Sequence, residues 1–200
     1  MTDCRQYSEA CARNRGPILE VLRNAFSATT TVLEVGAGTG EHAAFFAGVL
    51  PHLLWQPTDV AAHLPGIAAW RDAVALPNLR APLALDVDAG DWPVAEVDGL
   101  FTANTLHIMS WRSVRHFFGG VGRVLAPGGV LAVYGPFSDD GRHAAASNAH
   151  FDAFLRARDP SSGVRDWQAV DQLAAAQGLS LTGDHAMPAN NRMLIWRHNL

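Results

Sequence analysis

Thr30-Thr31-Val32-Leu33-Glu34-Val35-Gly36-Ala37-Gly38-Thr39-Gly40-Glu41 is the stretch from which the fold of this chain is read. Its first half is short, apolar and β-branched, the pattern of a buried strand. Its second half puts glycine at alternate positions where the strand stops, so the backbone turns tightly and a ligand can approach without meeting Cβ atoms. Residues 41–50 then read as a helix ended by Pro51. Upstream, Gly16-Pro17 followed by Ile18, Leu19, Leu22, Ala25 and Phe26 predicts an amphipathic helix with Pro17 in its first turn. Downstream, residues 53–58 lead as a second strand to Asp59, a helical stretch runs through Trp70 to Ala75, and residues 82–87 read as a third strand. A strand at 97–104, a helix at 111–125, the turn Ala126-Pro127-Gly128-Gly129 and a strand at 130–134 continue the alternation. Residues 136–160 are longer than a plain connection and carry a helix at 147–158, with Ser147 as its cap and Phe151, Phe154 and Leu155 on its apolar side. A last helix at 166–176, stopped by Gly178, precedes a closing strand pair at 179–187 and 192–197. The chain is therefore an α/β domain with a mainly parallel sheet and helices on both faces, whose ligands belong beyond the carboxyl ends of the strands.

Composition narrows the chemistry. The chain has 200 residues, 48% of them hydrophobic and 17% charged, enough for one substantial core. All 15 basic residues are arginine, which excludes a P-loop lysine, a Schiff-base lysine and a lysine base. A net charge of -4 offers no global attraction to nucleic acid or anionic lipid. Cys4 and Cys11 lack the spacing of zinc or dithiol sites, and no run is long and apolar enough for a membrane span, so the expectation is a reduced, cytoplasmic protein without signal or anchor. The histidines other than His107 form no metal-ligand spacing.

At the glycine loop, Glu41 stands where a dinucleotide pyrophosphate would rest and Glu34 lies in the strand beneath, so two carboxylates would oppose a dianion. A cation or zwitterion with an adenosine end suits them better, and S-adenosylmethionine (SAM) meets that description. The alternative is a loop that only packs helix on strand. Asp59 follows Gly36 at the distance where an acid takes a ribose diol, and it also suits a helix cap. Asp86, with Val87 beside it, is placed either to accept from an adenine amino group or to close a solvated turn.

These residues resemble the first motif of class I SAM-dependent methyltransferases, and Pro127-Gly128-Gly129 is similar to their turn before the fifth strand. More narrowly, the chain resembles a family of ~200-residue methyltransferase-like proteins catalogued as a domain of unknown function. That resemblance rests on Arg13-Asn14, Pro17-Ile18-Leu19, Trp55-Gln56-Pro57-Thr58-Asp59, Asn104 to Ser110, Tyr134-Gly135-Pro136-Phe137, Ser147-Asn148, Phe151-Asp152, Arg156 to Pro160, Gly163, Arg165-Asp166 and Met187-Pro188-Ala189-Asn190-Asn191. Ala12, where an acid is expected, and Ser162, where a tryptophan is expected, depart from the pattern. The resemblance implies a Rossmann-like sheet of seven strands in the order 3-2-1-4-5-7-6 with the last strand antiparallel. It further implies a single domain in which residues 1–28 form a helical lid and residues 136–165 an insertion over the substrate. Around SAM it implies Glu34, Gly36, Ala37, Gly38, Gly40, Asp59, Asp86, Val87 and Asn104, with Arg13, Asn14, Asn148 and Arg165 on the substrate or lid side.

Methyl transfer is an in-line displacement that needs positioning and a dry site and no metal, and its product is S-adenosylhomocysteine (SAH). His107, after the fourth strand, is read either as the base for a protonated acceptor or as a peg that fixes its loop. Tyr134 either orients the acceptor or is a buried, satisfied tyrosine. Arg13 reads as a clamp for a carboxylate or as a surface ion pair, and Asn190 and Asn191 read as turn residues or substrate contacts. The expected substrate is a small molecule or short peptide. The rivals are a non-catalytic SAM-binding partner or sensor and, more remotely, a nicotinamide oxidoreductase.

Overall fold

The computed structural model describes residues 5–200, so Cys4 lies outside the described residues. In chain order the elements are α1 (Glu9–Ala25), β1 (Thr31–Val35), α2 (Glu41–Val49), β2 (Leu54–Asp59), α3 (Leu64–Val74), β3 (Leu83–Ala84), β4 (Val97–Ala103), α4 (Trp111–Val124), β5 (Leu125–Asp139), β6 (Arg142–His143), α5 (Ala146–Arg158), β7 (Arg165–Asp166), α6 (Trp167–Ala175), β8 (Leu179–Met187) and β9 (Asn191–His198). Seven of them form the sheet path β3-β2-β1-β4-β5-β9-β8. The first five run parallel, while β9 is antiparallel to both β5 and β8. That is the strand order the resemblance implies, with two additions. The short strands β6 and β7 pair with the far end of β5, which continues past Tyr134 to Asp139, so the described residues hold nine strands instead of seven.

Strand side chains alternate between two cores because the pleat has a period of two. Leu33, Val35, Leu131, Val133, Leu194 and Trp196 face one core, closed by α4 and α6 through Val114, Phe117, Val121, Val170 and Ala174. Val32, Val130, Ala132, Tyr134, Met193 and Ile195 face the other, closed by α1 and α2 through Ile18, Leu22, Phe26, Ala43, Phe46 and Ala47. No helix among the described residues is long and apolar enough to cross a membrane.

Three local expectations are corrected. Pro17 lies inside α1 and not in its first turn, because the helix starts at a cap upstream of it. Ser8 Oγ accepts from Cys11 N (3.3 Å), and Ser8 N donates to Glu41 Oε2 (2.9 Å), which anchors the early turns to α2. Residues 82–87 form a strand only at Leu83–Ala84, since Asp86 accepts from Asp88 N and folds the chain into a single 3-10 turn, Val87–Ala89. Ser147 does not cap α5; Ala145 takes that position without a side-chain bond, and Ser147 stands exposed on the first turn.

Gly40 shows how tightly the glycine turn is built. It has φ of +87°, and a Cβ there would lie 2.7 Å from the Ile67 Cα on α3. Gly40→Ala is expected to destabilise the fold by about 1–3 kcal/mol through strain and backbone contact, read as a lower urea midpoint at unchanged m-value.

Candidate functional site

Three glycines with positive φ, Gly36, Gly38 and Gly40, carry the chain from β1 into α2. The turn is pinned to its neighbour: Gly36 N and Ala37 N both donate to Thr58 O (3.0 Å each), and Gly38 N donates to Asp59 Oδ2 (2.7 Å). The other Asp59 oxygen accepts from Val60 N (2.7 Å) and faces His63 Nδ1 (2.8 Å). A Cβ on Gly36 would strike the Thr105 side chain at 2.7 Å, whereas the corresponding space at Gly38 is open. This turn floors a cavity of about 870 Å³.

The lining follows the sheet order. Leu85, Asp86, Val87 and Asp88 come from beyond β3, Asp59 from β2, and Gly36, Ala37 and Gly38 from β1. Asn104, Thr105 and His107 follow β4, Pro136 lies on β5, and Asn191 opens β9. Asn104 has φ of +57° and donates its N–H to Tyr134 O (2.8 Å), which bends the chain after β4 over the cavity. Helix α5 adds Ser147, Asn148 and Phe151, and α1 adds Ala10, Cys11 and Arg13.

His107 is buried, edge-on to Phe151 with ring centroids 5.2 Å apart, and its ring makes no hydrogen bond to a described residue. The loop is held by other atoms: His107 O accepts from Gly163 N (2.9 Å), and Arg165 donates to the carbonyls of Leu106 (3.1 Å), Met109 and Ser161 (3.0 Å). The imidazole thus makes none of the hydrogen bonds that hold this loop. Burial, with the Arg165 charge nearby, pushes its pKa down to about 4, so the ring is neutral near pH 7.

A second buried imidazole lines the cavity, His42 on the first turn of α2. Its Nε2 meets Asn14 Oδ1 at 2.8 Å, its ring stacks on Phe46, and burial, with a contribution from Arg15, lowers its pKa to about 4. Asn14 also interacts with the Tyr134 hydroxyl, which accepts from Asn191 Nδ2 (3.0 Å); burial raises the phenol's pKa against these two bonds. Beneath the turn, Glu34 accepts from Trp55 Nε1 (2.7 Å), and burial raises its pKa to about 7 despite that bond, with the Asp59 charge adding to the rise.

Of the residues chosen from the sequence, Gly36, Ala37, Gly38, Asp59, Asp86, Val87, Asn104, His107, Arg13 and Asn148 meet at the cavity. Glu34, Gly40, Asn14, Tyr134 and Arg165 do not line it. Glu34 is sealed by Trp55, Gly40 is covered by Ile67, and Asn14 and Tyr134 bond each other behind the wall. Arg165 is corrected from a lid residue to a clamp on the His107 loop. Arg13 pairs with Glu9 at 3.1 Å on the surface while bordering the cavity. Helix α1 is part of the core through Ile18, Leu22 and Phe26 and does not stand apart as a lid. Sequence reasoning missed His42, His63, Thr105 and Phe151; the available signal was position, since His42 falls one residue after Glu41 and His63 four after Asp59.

A family model described as "Protein of unknown function (DUF938)" matches residues 5–198. Among solved structures, an O-methyltransferase family protein from Burkholderia thailandensis superposes with a TM-score of 0.79 at 19% identity, over 96% of this chain and 58% of that one. The mitomycin 7-O-methyltransferase MmcR gives 0.82 at 18% identity, over 94% and 54%. An O-methyltransferase family 2 protein from Planctomyces limnophilus, solved with apigenin, gives 0.80 at 14%, over 94% and 59%. The fold is thus that of Rossmann-like methyltransferases, and the chain spans little more than half the length of these structures.

The buried titrating groups set opposing pH dependences. His42 and His107 sit near 4 in the folded chain against an ordinary 6.5, so the unfolded chain binds more protons between those values. Their contribution is present above about 6.5 and lost as pH falls through 4. Glu34 sits near 7 against an ordinary 4.5, so its contribution is complete below 4.5 and lost as pH rises through 7. Urea unfolding across this range is expected to show a shallower acid limb for His107→Asn and a smaller decline towards pH 7 for Glu34→Gln.

Proposed function

From the membership of this chain in the DUF938 family of proteins of unknown function, we propose that it is a SAM-dependent methyltransferase acting on a small molecule. The observation that carries this reading is one continuous cavity running from the glycine turn and Asp59 to His107. The residues present fit the cofactor. Gly38 leaves open space where a Cβ would stand, Asp59 presents a carboxylate fixed by Gly38 N, and Asp86 and Val87 line the same end. Glu41 does not offer its helix start to a pyrophosphate: its carboxylate holds Ser8 N and faces Arg15, which argues against a nicotinamide cofactor.

Bound SAM would supply an electrophilic methyl group on a sulfonium. In the reading proposed, Asp59 holds the ribose hydroxyls, Asp86 and Val87 bound the adenine, and the backbone of Gly36 to Gly38 lies under the methionyl part. His107, neutral and with no hydrogen bond to a described residue, takes the proton from the acceptor atom as that atom becomes nucleophilic. Phe151 and Pro136 keep water from the reacting end. Tyr134 acts at one remove, holding Asn191 in place. The continuity of the cavity as far as His107 supports transfer over a purely binding role.

Thermal unfolding with SAM, SAH and NAD tests the cofactor. Ligand at a hundredfold excess over its Kd adds about 2.7 kcal/mol, so SAM and SAH are expected to raise the midpoint by several degrees and NAD to leave it unchanged. Absence of a shift with both sulfur ligands overturns the proposal. Asp59→Ala is expected to weaken SAM about tenfold or more in calorimetric titration, whereas His107→Ala leaves SAM affinity within about twofold while lowering transfer.

A further inference from the structure

The substrate end of this cavity carries several open hydrogen-bond acceptors. Asn148 is buried and donates Nδ2 to the backbone carbonyl of Asn190 (3.1 Å). Asn191 donates Nδ2 to the carbonyl of Pro188 and to the Tyr134 hydroxyl (3.0 Å each). Carbonyls only accept, so the orientation of both amides is set; Asn191 has used both of its N–H groups on the protein and Asn148 one of its two. Their Oδ1 atoms make no hydrogen bond to a described residue, yet neither is among the buried atoms sealed without a partner, and both residues line the cavity. His42 repeats the pattern. With Asn14 Oδ1 facing Nε2, the ring carries its proton there and leaves Nδ1 as an acceptor that is likewise not sealed off.

Three acceptors thus remain open, on α2, α5 and β9, beside the second N–H of Asn148 and the ring N–H of neutral His107, while Ser147, Asn190 and Arg13 belong to exposed residues at the rim. Charge is distributed just as unevenly. Among the described residues, the carboxylates that line the cavity are Asp59, Asp86 and Asp88, all from the β2 and β3 end. Around Asn148, Asn191, His42 and His107 no described carboxylate lines the cavity, and both imidazoles are neutral near pH 7. An ammonium group there would find oxygen and nitrogen lone pairs but no opposite charge to offset its desolvation. Pro136, Phe151 and Ile108 add apolar wall.

We propose that this end of the cavity takes an uncharged substrate that presents two or more hydroxyl or N–H donors on an apolar body, with Asn148, Asn191 and His42 as the residues that select it. The inference deepens the methyl-transfer reading and rests on it. Each of these open acceptors disfavours a ligand without donors, because it would then be buried unpaired. His42 does so in one tautomer, held by Asn14 across the contact between α1 and α2.

The test uses three small probes of similar size: catechol, 1,2-dimethoxybenzene and benzylammonium. Their affinities are measured by NMR titration of the ¹⁵N-labelled full chain, with and without saturating SAH. Catechol is expected to bind about tenfold or more tightly than either other probe and to shift the side-chain resonances of Asn148, Asn191 and His42. Asn148→Asp, which keeps the shape and adds a carboxylate, is expected to raise benzylammonium affinity about tenfold and to bring it level with catechol. Equal binding of catechol and its dimethyl ether, preference of the wild-type chain for benzylammonium, or no binding of catechol overturns the proposal. A His42 ring protonated at Nδ1 removes His42 from it. Failure of SAH to bind counts against the methyl-transfer reading instead, and the ratio of probe affinities in the free protein still decides the donor preference.

Discussion

The bond from Gly38 N to Asp59 is the contact on which the site depends. It ties the turn after β1 to the end of β2, and the two bonds to Thr58 O tie the preceding residues to the same strand. A left-handed backbone at Gly36, Gly38 and Gly40 is what lets three successive amides point that way. Neighbours then close around the turn where a side chain would have been: Thr105 at Gly36, and Ile67 at Gly40. Only Gly38 is left facing open space, so the geometry that stabilises the turn also leaves one place for a ligand to approach the backbone.

Burial shifts the titrating groups beneath and beside the turn towards their neutral forms. Glu34, sealed under the turn with one indole donor, is held near 7, and His42 and His107 are held near 4. Desolvation favours the neutral form in each case, raising an acid and lowering a base. The remaining carboxylates sit on the β2 and β3 side, and Glu41 is engaged in anchoring α1 through Ser8. Among the described lining residues, a gradient from acidic to neutral therefore runs along the sheet order, from Asp59, Asp86 and Asp88 to Asn148 and Asn191.

The far wall owes its shape to the hairpin between β8 and β9. Ala189 and Asn190 both adopt positive φ, a conformation unfavourable for alanine, and Asn148 holds the Asn190 carbonyl from α5. Asn191 links the same turn to Tyr134, and Tyr134 to Asn14 and α1. Elements distant in sequence thus share one chain of polar contacts behind the cavity.

The alternation of strand and helix, the glycine turn and the acid at the end of the second strand were legible in the sequence, because each is a local pattern with its own period or backbone demand. The strand order came with the family resemblance, which the sheet bears out. Short-range competition was harder to read: Asp86 folds its own segment and shortens β3, and the Ser8 cap starts α1 ahead of Pro17. What only the tertiary structure decided is which polar side chains face the cavity and which face each other. Asn14, Tyr134 and Arg165 look like site residues by position but point at protein partners, while His42 looks like an ordinary helix residue and faces the cavity. Sequence specifies the residue types, but the direction of a hydrogen bond depends on which donor or acceptor another element brings within 3 Å, and that is settled only when the helices dock on the sheet.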